Sequence, residues 1–306
     1  MATIGMKLDG IGTEQVVALA PQIELAGFDE VWVCEDLGRN GGIAQSALVL
    51  AATERCSVGL GIAPAAVRNV AYLAMEIASL CRAHPGRFIP GLGHGMPDWL
   101  RQVGAHPGKL LPCLEEVTVV SQRLIAGESV TFHGQYVRID DVTLDFPAPE
   151  APLMHLGVRR PRGIEIAARI GGGVILAEGS SPRYVREVRE QMGDSAARIT
   201  AFAWLSVDSD AAKAIDVLRP RVTNALGEEF MQAQIGDIGD GGATDEVVRE
   251  LSVSGTVEEC AAAVERLYEA GADSVVLQPA PGNELDQLEQ LAGLPQLVDR
   301  ALPPRG

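Results

Sequence analysis

Residues 57–63 read SVGLGIA, residues 70–81 read VAYLAMEIASLC, and residues 87–93 read RFIPGLG. The first and last of these stretches are short apolar runs, which are typical of strands buried on both faces of a parallel sheet. The middle stretch carries apolar residues at the spacing of one helix face, at Val70, Leu73, Ala74, Ile77 and Cys81. This order predicts a strand–helix–strand unit, the repeating element of parallel α/β folds.

The same alternation continues toward both ends of the chain. Further strand-like runs lie at residues 4–8, 31–33, 153–158, 174–177, 199–207 and 274–278. Helical patterns separate the runs, and Thr13 and Thr256 are predicted N-caps, the latter in a capping box with Glu259. Eight strands separated by helices favour a single (β/α)8 barrel domain over residues 1–306, with an open doubly wound sheet as the alternative.

Two segments interrupt this rhythm. Residues 127–150, after the fourth helix, carry short alternating runs around Gly134 and predict an inserted β-hairpin. Residues 227–243, after the seventh helix, read GEEFMQAQIGDIGDGGA. Because this segment is acidic and rich in glycine, we expect a mobile excursion with little structure of its own.

Composition narrows the class of protein. The 306 residues carry a formal net charge of −16, which argues against nucleic acid and against an anionic membrane surface as partners. No apolar run reaches the ~18 residues of a membrane span, and the first residues lack the profile of a signal peptide. The five cysteines form no C-x-x-C pair, and the five histidines show no metal-ligand spacing. We therefore expect a cytoplasmic protein with reduced thiols and no metal site.

In a (β/α)8 barrel the catalytic groups lie on the loops that follow the strands. Glu35 and Asp36 follow the second strand and are candidates for proton transfer, although a helix cap or a loop ion pair would use the same residue types. His94 follows the fourth strand between two glycines and is a candidate proton donor, or else a polar loop residue.

Candidates for anion binding follow the fifth and sixth strands. Arg159, Arg160 and Arg162 precede a helix, whose N-terminal N–H groups favour an anion together with the guanidinium groups. Residues 178–181 (EGSS) offer backbone N–H groups and hydroxyls to a phosphate. A solvated basic turn and a plain helix cap are the alternative interpretations of the two segments.

The sequence lacks the motifs of several other chemistries. It has no G-x-S-x-G elbow, no P-loop and no H-E-x-x-H. Residues 91–95 (GLGHG) lack the full dinucleotide-binding fingerprint. Serine hydrolase, P-loop nucleotide and zinc peptidase chemistry, and a Rossmann dehydrogenase, are therefore disfavoured.

Taken in order, the motifs of this chain resemble those of the luciferase-like flavin and deazaflavin oxidoreductases. The resemblance covers almost the whole chain and is carried by residues 31–36, 59–63, 68–70, 86–95, 157–161, 171–178, 254–259 and 270–276. The branch that these residues resemble is that of coenzyme F-420-dependent methylenetetrahydromethanopterin reductase.

The resemblance implies a (β/α)8 barrel whose C-terminal face binds coenzyme F-420, a hydroxylated deazaflavin, or FMN. It implies hydride transfer to or from a small organic substrate, and a homodimer. It further implies a non-prolyl cis peptide between Gly61 and Ile62 against the cofactor ring, with Glu35 and Asp36 in ring contact and proton transfer. The residues that it assigns to the cofactor are Gly61, Ile62, Ala63, Gly93, Gly157, Val158, Arg159, Arg160, Ala177, Glu178, Gly179 and Ser180.

The chain departs from the family pattern at two places. Many deazaflavin members have Asp-His where this chain has Glu35-Asp36, so His94 becomes the candidate imidazole. Arg159 and Arg160 stand where small residues are frequent, and the added charge favours an anionic cofactor tail. An FMN-dependent luciferase-like monooxygenase or reductase is the alternative function, and a non-catalytic barrel that binds a small molecule is a further one.

Overall fold

Parallel strands form the centre of the computed structural model, which describes residues 2–235, 241–280, 282, 284–291 and 293–298. The strands are β1 (Thr3–Lys7), β2 (Glu30–Val33), β3 (Ser57–Leu60), β4 (Ala63–Pro64), β5 (Phe88–Ile89), β6 (Gly91–Gly93), β7 (Val130–His133), β8 (Arg138–Val142), β9 (His155–Gly157), β10 (Gly173–Leu176), β11 (Arg198–Val207), β12 (Ser252–Gly255) and β13 (Ser274–Pro279).

Helices follow the barrel strands and pack around them. They are α1 (Thr13–Leu25), α2 (Gly42–Ala52), α3 (Val70–Ala83), α4 (Pro97–Gln102), α5 (Leu110–Ile125), α6 (Pro161–Ile170), α7 (Pro182–Met192), α8 (Ala211–Gly227), α9 (Gln232–Ile235), α10 (Asp245–Leu251), α11 (Val257–Glu269), α12 (Glu284–Gln290) and α13 (Leu294–Leu297), with a 3-10 turn at Glu229–Met231. Within the part of the chain that the structure describes, no helix is both long and apolar enough to cross a bilayer.

The barrel closes through two strands that are each broken in the middle. The run predicted at 57–63 forms β3 and β4, and the run predicted at 87–93 forms β5 and β6. β3 pairs with β5 and β4 with β6, while β6 continues through β9, β10, β11, β13, β1 and β2 back to β3. Because every one of these pairs is parallel and the ring closes, the predicted (β/α)8 barrel is confirmed.

The predicted helix starts are confirmed at Thr256 and corrected at Thr13. The Thr256 N–H donates to Glu259 Oε2 at 2.8 Å, and the Thr256 hydroxyl accepts from the Glu259 N–H at 3.4 Å, so the capping box is present. At the first helix, Gly12 occupies the cap position and Thr13 is the first helical residue. The Thr13 hydroxyl instead lies 3.0 Å from Asn40 Oδ1, which ties the helix to the loop after β2.

The inserted hairpin is present as β7 and β8, which pair antiparallel. Its turn is closed by the Gly134 N–H, which donates to the Val137 carbonyl at 2.9 Å. The carboxylate of Glu116 on α5 accepts from the N–H groups of Gln135, Tyr136 and Val137 at 2.8–2.9 Å. These three bonds fasten the hairpin to the outside of the barrel.

The expectation that residues 227–243 have little structure is wrong for residues 229–235. Residues 229–235 are helical, and Met231 and Ile235 are buried. Gln234 donates from Nε2 to the Glu178 carbonyl at 2.6 Å, and its own carbonyl accepts from the Ser181 N–H at 3.2 Å. The burial of Met231 and Ile235 and these two hydrogen bonds stabilise the helical structure of residues 229–235, although the glycine and acid content of the segment disfavours regular structure. Residues 236–240 of the segment lie outside the described residues.

The interior of the barrel is filled by large side chains from several strands. Trp32, Ile175, Phe202 and Val276 form one cluster, with the Trp32 and Phe202 rings edge to face at 5.2 Å. A Cβ on Gly59 would lie 2.2 Å from the Trp32 ring, so glycine is required where the indole crosses β3. This packing makes the barrel centre a solid floor for anything bound at its rim.

His155 is the first residue of β9 and lies buried near the N-terminal end of the barrel. Burial, assisted by the charge of Arg198, lowers the pKa of His155 to about 4. Its Nδ1 has no hydrogen-bond partner among the described residues. The folded state therefore holds this imidazole neutral at a pH where an exposed histidine is protonated.

We expect His155 to make the protein less stable in mild acid. Its folded pKa of about 4 lies below the ordinary histidine value of 6.5, so the unfolded chain binds the proton first and stability falls as the pH drops from 6.5 toward 4. Between pH 7 and pH 5 the loss from this residue is about 2 kcal/mol. Denaturant unfolding of the wild type and of His155→Gln at both pH values measures it. An equal loss in the two proteins would contradict the prediction.

Candidate active site

A cleft of about 200 Å³ opens at the rim formed by the C-terminal ends of the barrel strands. Of the residues predicted to form the site, it is lined by Glu35, Asp36, Gly61, Ile62, Gly93, His94, Gly157, Val158, Arg159, Ala177 and Glu178. The predicted residues that do not line it are Ala63, Arg160, Gly179 and Ser180. Lining residues that sequence reasoning missed are Lys7, Pro64, Gly95, Met96, Trp99, Ile175 and Phe202.

One wall of the cleft is built around the side chain of Ile62. The peptide bond between Gly61 and Ile62 is cis, as the resemblance implies. A Cβ on Gly93 or on Gly157 would come within 2.8 Å of the Ile62 side chain, and a Cβ on Gly61 would come within 2.6 Å of the Phe202 ring. The three glycines therefore leave the room that Ile62 and Phe202 occupy, and together these residues form an apolar surface.

A buried ion pair lies at the floor of the cleft. Lys7 Nζ is 2.6 Å from Glu178 Oε1 and 5.1 Å from the centre of the Phe202 ring. Burial by itself lowers the pKa of Lys7, but the carboxylates of Glu178 first and Asp9 next attract its charge and raise the pKa above its ordinary value. Lys7 therefore stays charged. In the sequence, the sign of a buried cation at this place is a single lysine at the end of the apolar run of β1.

Asp36 provides an ionisable group on the side of the β2 loop. Burial first, and the negative charge of Asp9 next, raise the pKa of Asp36 above its ordinary value. Its nearest cation is Arg39, whose Nε lies 3.9 Å from Asp36 Oδ2, too far for a hydrogen bond. A carboxyl group with a raised pKa and open oxygen atoms is suited to exchange a proton with a ligand.

Glu35 and His94 also line the cleft but are more constrained. Glu35 accepts two hydrogen bonds from Arg68, at 2.8 Å from Nη1 and 2.6 Å from Nη2. This bidentate pair is the loop ion pair that the sequence left open as an alternative. His94 Nδ1 lies 3.0 Å from the Gly95 carbonyl, and a carbonyl only accepts, so Nδ1 carries the proton and Nε2 is the free acceptor of the neutral ring.

Of the three arginines after β9, one lines the cleft and two are exposed to solvent. Arg159 lines the cleft, and its guanidinium lies 5.0 Å from the centre of the Phe230 ring. Burial lowers the pKa of Arg159 and the charge of Glu178 opposes this, but an arginine stays protonated near neutral pH. Arg160 and Arg162 are exposed, and the Arg160 carbonyl accepts from the N–H groups of the first turn of α6.

The loop after β10 uses its polar groups internally. Ser180 is buried, and its hydroxyl donates to the Ala177 carbonyl at 2.7 Å. Gly179 has a φ of +80°, and a Cβ there would lie 3.0 Å from the Trp204 ring. The hydroxyl of Ser181 accepts from the Tyr184 N–H as a helix cap. The plain-cap interpretation therefore holds for Ser181, whereas the Ser180 hydroxyl closes the loop and Glu178 pairs with Lys7 in the cleft.

A second cavity of about 410 Å³ adjoins the cleft. The two share Glu35, Asp36, Pro64, Met96 and Trp99 as lining residues, so the carboxyl group of Asp36 borders both. The two cavities form one continuous opening. It has an apolar wall, a buried cation at its floor and an ionisable carboxyl group at its border, a combination that is typical of an enzyme active site.

The fold and this opening define a barrel enzyme, and comparison with known proteins gives its family. The family model described as luciferase-like monooxygenase matches residues 3–274. The chain therefore belongs to the luciferase-like monooxygenase family.

Relatives and solved structures of similar length match along nearly the whole chain. The 5,10-methylenetetrahydromethanopterin reductase of Methanolobus tindarius is 23% identical over 94% of this chain and 97% of the relative. The F-420-dependent glucose-6-phosphate dehydrogenase of Kineococcus radiotolerans is 28% identical over 87% of this chain and 86% of the relative. The structure of the coenzyme F-420-dependent tetrahydromethanopterin reductase from Methanopyrus kandleri superposes with a TM-score of 0.81 at 20% identity, covering 97% of this chain and 98% of that chain. This last match supports the barrel fold.

We expect Gly157→Ala to destabilise the protein, because the new Cβ would lie 2.8 Å from the Ile62 side chain in a packed wall. The free energy of unfolding should fall by about 1–3 kcal/mol, the usual cost of overpacking. The matched control is Gly227→Ala, where nothing lies within 4 Å of the added Cβ. Denaturant unfolding compares the two variants. Equal stability of both would show that the Ile62 wall yields to the extra carbon.

Proposed function

We propose that this protein is a hydride-transfer oxidoreductase that uses coenzyme F-420 and acts on a small organic substrate. The observation that carries the proposal is the single cleft in which the Gly61–Ile62 wall, the Arg159 cation and the Asp36 carboxyl group meet. A flat ring needs an apolar wall, an anionic tail needs a cation, and hydride chemistry needs a proton exchanger nearby.

The residues of the cleft fit a planar deazaflavin. Ile62, Val158 and Ile175 line it with apolar side chains, and the glycines at 93 and 157 keep the wall free of further side chains. Arg159 would hold an anionic group of the tail, whereas the exposed Arg160 would contact the more distant part of that tail. The roles of Ala63, Gly179 and Ser180 would be to shape the loops around the site.

Coenzyme F-420, when bound, supplies a ring carbon that gives or takes a hydride. The chain's own residues supply orientation and charge. Asp36 would exchange the proton that accompanies the hydride, because its pKa is raised and its oxygen atoms have no hydrogen bond among the described residues. Glu35, engaged with Arg68, would position the loop, and His94 would accept or relay a proton through Nε2.

The names of the two curated relatives support coenzyme F-420 over FMN. Both are named for reductase or dehydrogenase activity, and one is named as F-420-dependent. The family description names a monooxygenase, and an FMN-dependent monooxygenase, which would need the same ring wall, is the alternative function. A homodimer and a cytoplasmic location stay predictions of the resemblance and of the cysteine content.

We expect the protein to bind coenzyme F-420 at least about tenfold more tightly than FMN, since Arg159 favours the longer anionic tail. Titration followed by cofactor absorbance measures both affinities. Arg159→Met should weaken F-420 binding more than Arg160→Met, because only Arg159 lines the cleft. The control is Arg186→Met, an exposed arginine of α7 that lines none of the cavities described here. Tight FMN binding without F-420 binding would favour the alternative.

We expect Asp36→Asn to slow turnover by about 10²–10⁴-fold while changing F-420 affinity little, since the amide keeps the shape and loses the proton exchange. In the wild type, kcat/KM in the direction in which Asp36 accepts the proton should fall in acid through a pKa above the ordinary aspartate value, because the carboxylate must be ionised to accept a proton. The variant should lack this limb. Wild-type turnover in Asp36→Asn would remove Asp36 from the chemistry.

A further inference from the structure

The helical segment of residues 229–235 contacts the cleft through Phe230, the middle residue of its 3-10 turn. The centre of the Phe230 ring lies 5.0 Å from the guanidinium carbon of Arg159, the arginine that lines the cleft. At this distance an aromatic ring attracts a guanidinium, because the faces of the ring carry negative charge density. A segment that lies outside the ring of strands thus touches a cation of the site.

Arg159 differs from the other cations at the opening in the kind of group that holds it. The others form ion pairs with carboxylates, which are Lys7 with Glu178, Arg39 with Asp9 and Arg68 with Glu35. Among the residues that the structure describes, no carboxylate oxygen lies within 4.0 Å of the Arg159 guanidinium. Because its neighbour is an uncharged ring, Arg159 can offer its charge to a ligand without first giving up an acidic partner.

The backbone of Arg159 is held as well. The Tyr184 hydroxyl, in the first turn of α7, donates to the Arg159 carbonyl. Tyr184 is buried, and burial raises its pKa to about 12, so the hydroxyl keeps its proton near neutral pH. An arginine that is held at its backbone and at its guanidinium loses less rotamer freedom when it binds an anion.

Phe230 can hold the guanidinium because its own segment is anchored. The next residue, Met231, is buried in an apolar cluster with Trp204. Gln234 donates from Nε2 to the Glu178 carbonyl at 2.6 Å, which fastens the segment to the loop after β10. The Phe230 ring itself is 40% exposed and lies outside that cluster. A substitution of Phe230 therefore removes the ring and leaves the anchors in place.

We infer that Phe230 is a positioning residue, which holds the Arg159 guanidinium in place for the anionic tail of the cofactor. This inference rests on the proposed function and adds to it a role for residues 229–235. Phe230 acts through Arg159, so its ring contributes to the affinity for the tail and not to the affinity for the flat ring system. The contact thereby favours a cofactor with an anionic tail over the same ring without one.

The test compares coenzyme F-420 with a tail-less deazaflavin that has the same ring system and no phosphate. Absorbance titration of the whole protein measures both affinities. Phe230→Leu keeps an apolar side chain and removes the aromatic face, so the affinity for F-420 should fall about three- to tenfold. The affinity for the tail-less compound should not change. Phe230→Tyr restores an aromatic face and should restore the preference for the tail.

The chain offers a matched control in Phe146→Leu. Phe146 is 70% exposed, and its ring centre lies 5.6 Å from the guanidinium carbon of Arg82. This pair is of the same kind, but neither residue lines the cleft or the second cavity. Phe146→Leu should therefore change neither affinity.

Two further measurements separate positioning from a merely structural role. In the background of Arg159→Met, Phe230→Leu should cause no further loss of F-420 affinity, because the group on which the ring acts is gone. Without any cofactor, NMR of the arginine side chains should show faster motion of the Arg159 Nε–H in Phe230→Leu than in the wild type. The signal is assigned by its absence from Arg159→Met, and Phe230→Tyr should restore the slower motion.

Three results would overturn the inference. Equal loss of both deazaflavins in Phe230→Leu would place the ring against the flat ring system, unchanged F-420 affinity would leave Phe230 without a part in binding, and additive losses with Arg159→Met would show that the two residues act independently. Failure of the proposed function is read separately, as a wild type that binds neither deazaflavin. FMN and riboflavin, which also differ in a phosphate, then replace the pair, and a wild type that binds none of the four contradicts both.

Discussion

The packing of the Ile62 side chain against β6 and β9 shapes the C-terminal rim of the barrel, where the cleft opens. Its side chain fills the space that a Cβ on Gly93 or Gly157 would take, 2.8 Å away in each case. β3 and β4 can then pair with different halves of the neighbouring broken strand and still close the ring. The side chain of Ile62, which lies in the break between β3 and β4, thus forms the apolar wall of the cleft.

Charge is distributed around this wall in a way that a net charge of −16 does not reveal. Arg159 and Lys7 line the cleft, and Lys7 is kept charged there by Glu178. Asp36 lies on the side of the β2 loop, where burial raises its pKa. The cleft of an acidic protein therefore carries cations on one side and an ionisable carboxyl group on the other.

Predictions from the local sequence were correct where the spacing of apolar residues and the turn residues themselves specify the strand or hairpin. The eight strands and the hairpin at residues 127–150 follow from apolar alternation and turn residues, and each is present. Residues 229–235 were misjudged, because their order comes from Gln234 bonding to the Glu178 carbonyl, 56 residues away. The helix α10 and the strand β12 were not predicted, since their runs are too short to show a period.

The chain order of apolar runs, helices and rim residues was enough to predict a barrel and to bring several of the cleft residues to one rim, because parallel strands bring the residues that follow them to one edge. The cis peptide at Gly61–Ile62 was implied by the family resemblance alone. The order could not tell Arg159 from Arg160, nor show that Glu35 is held by Arg68 and that Lys7 lies at the floor. Those outcomes depend on which direction each side chain takes and which distant partner it meets, and both are set by packing between elements far apart in the chain.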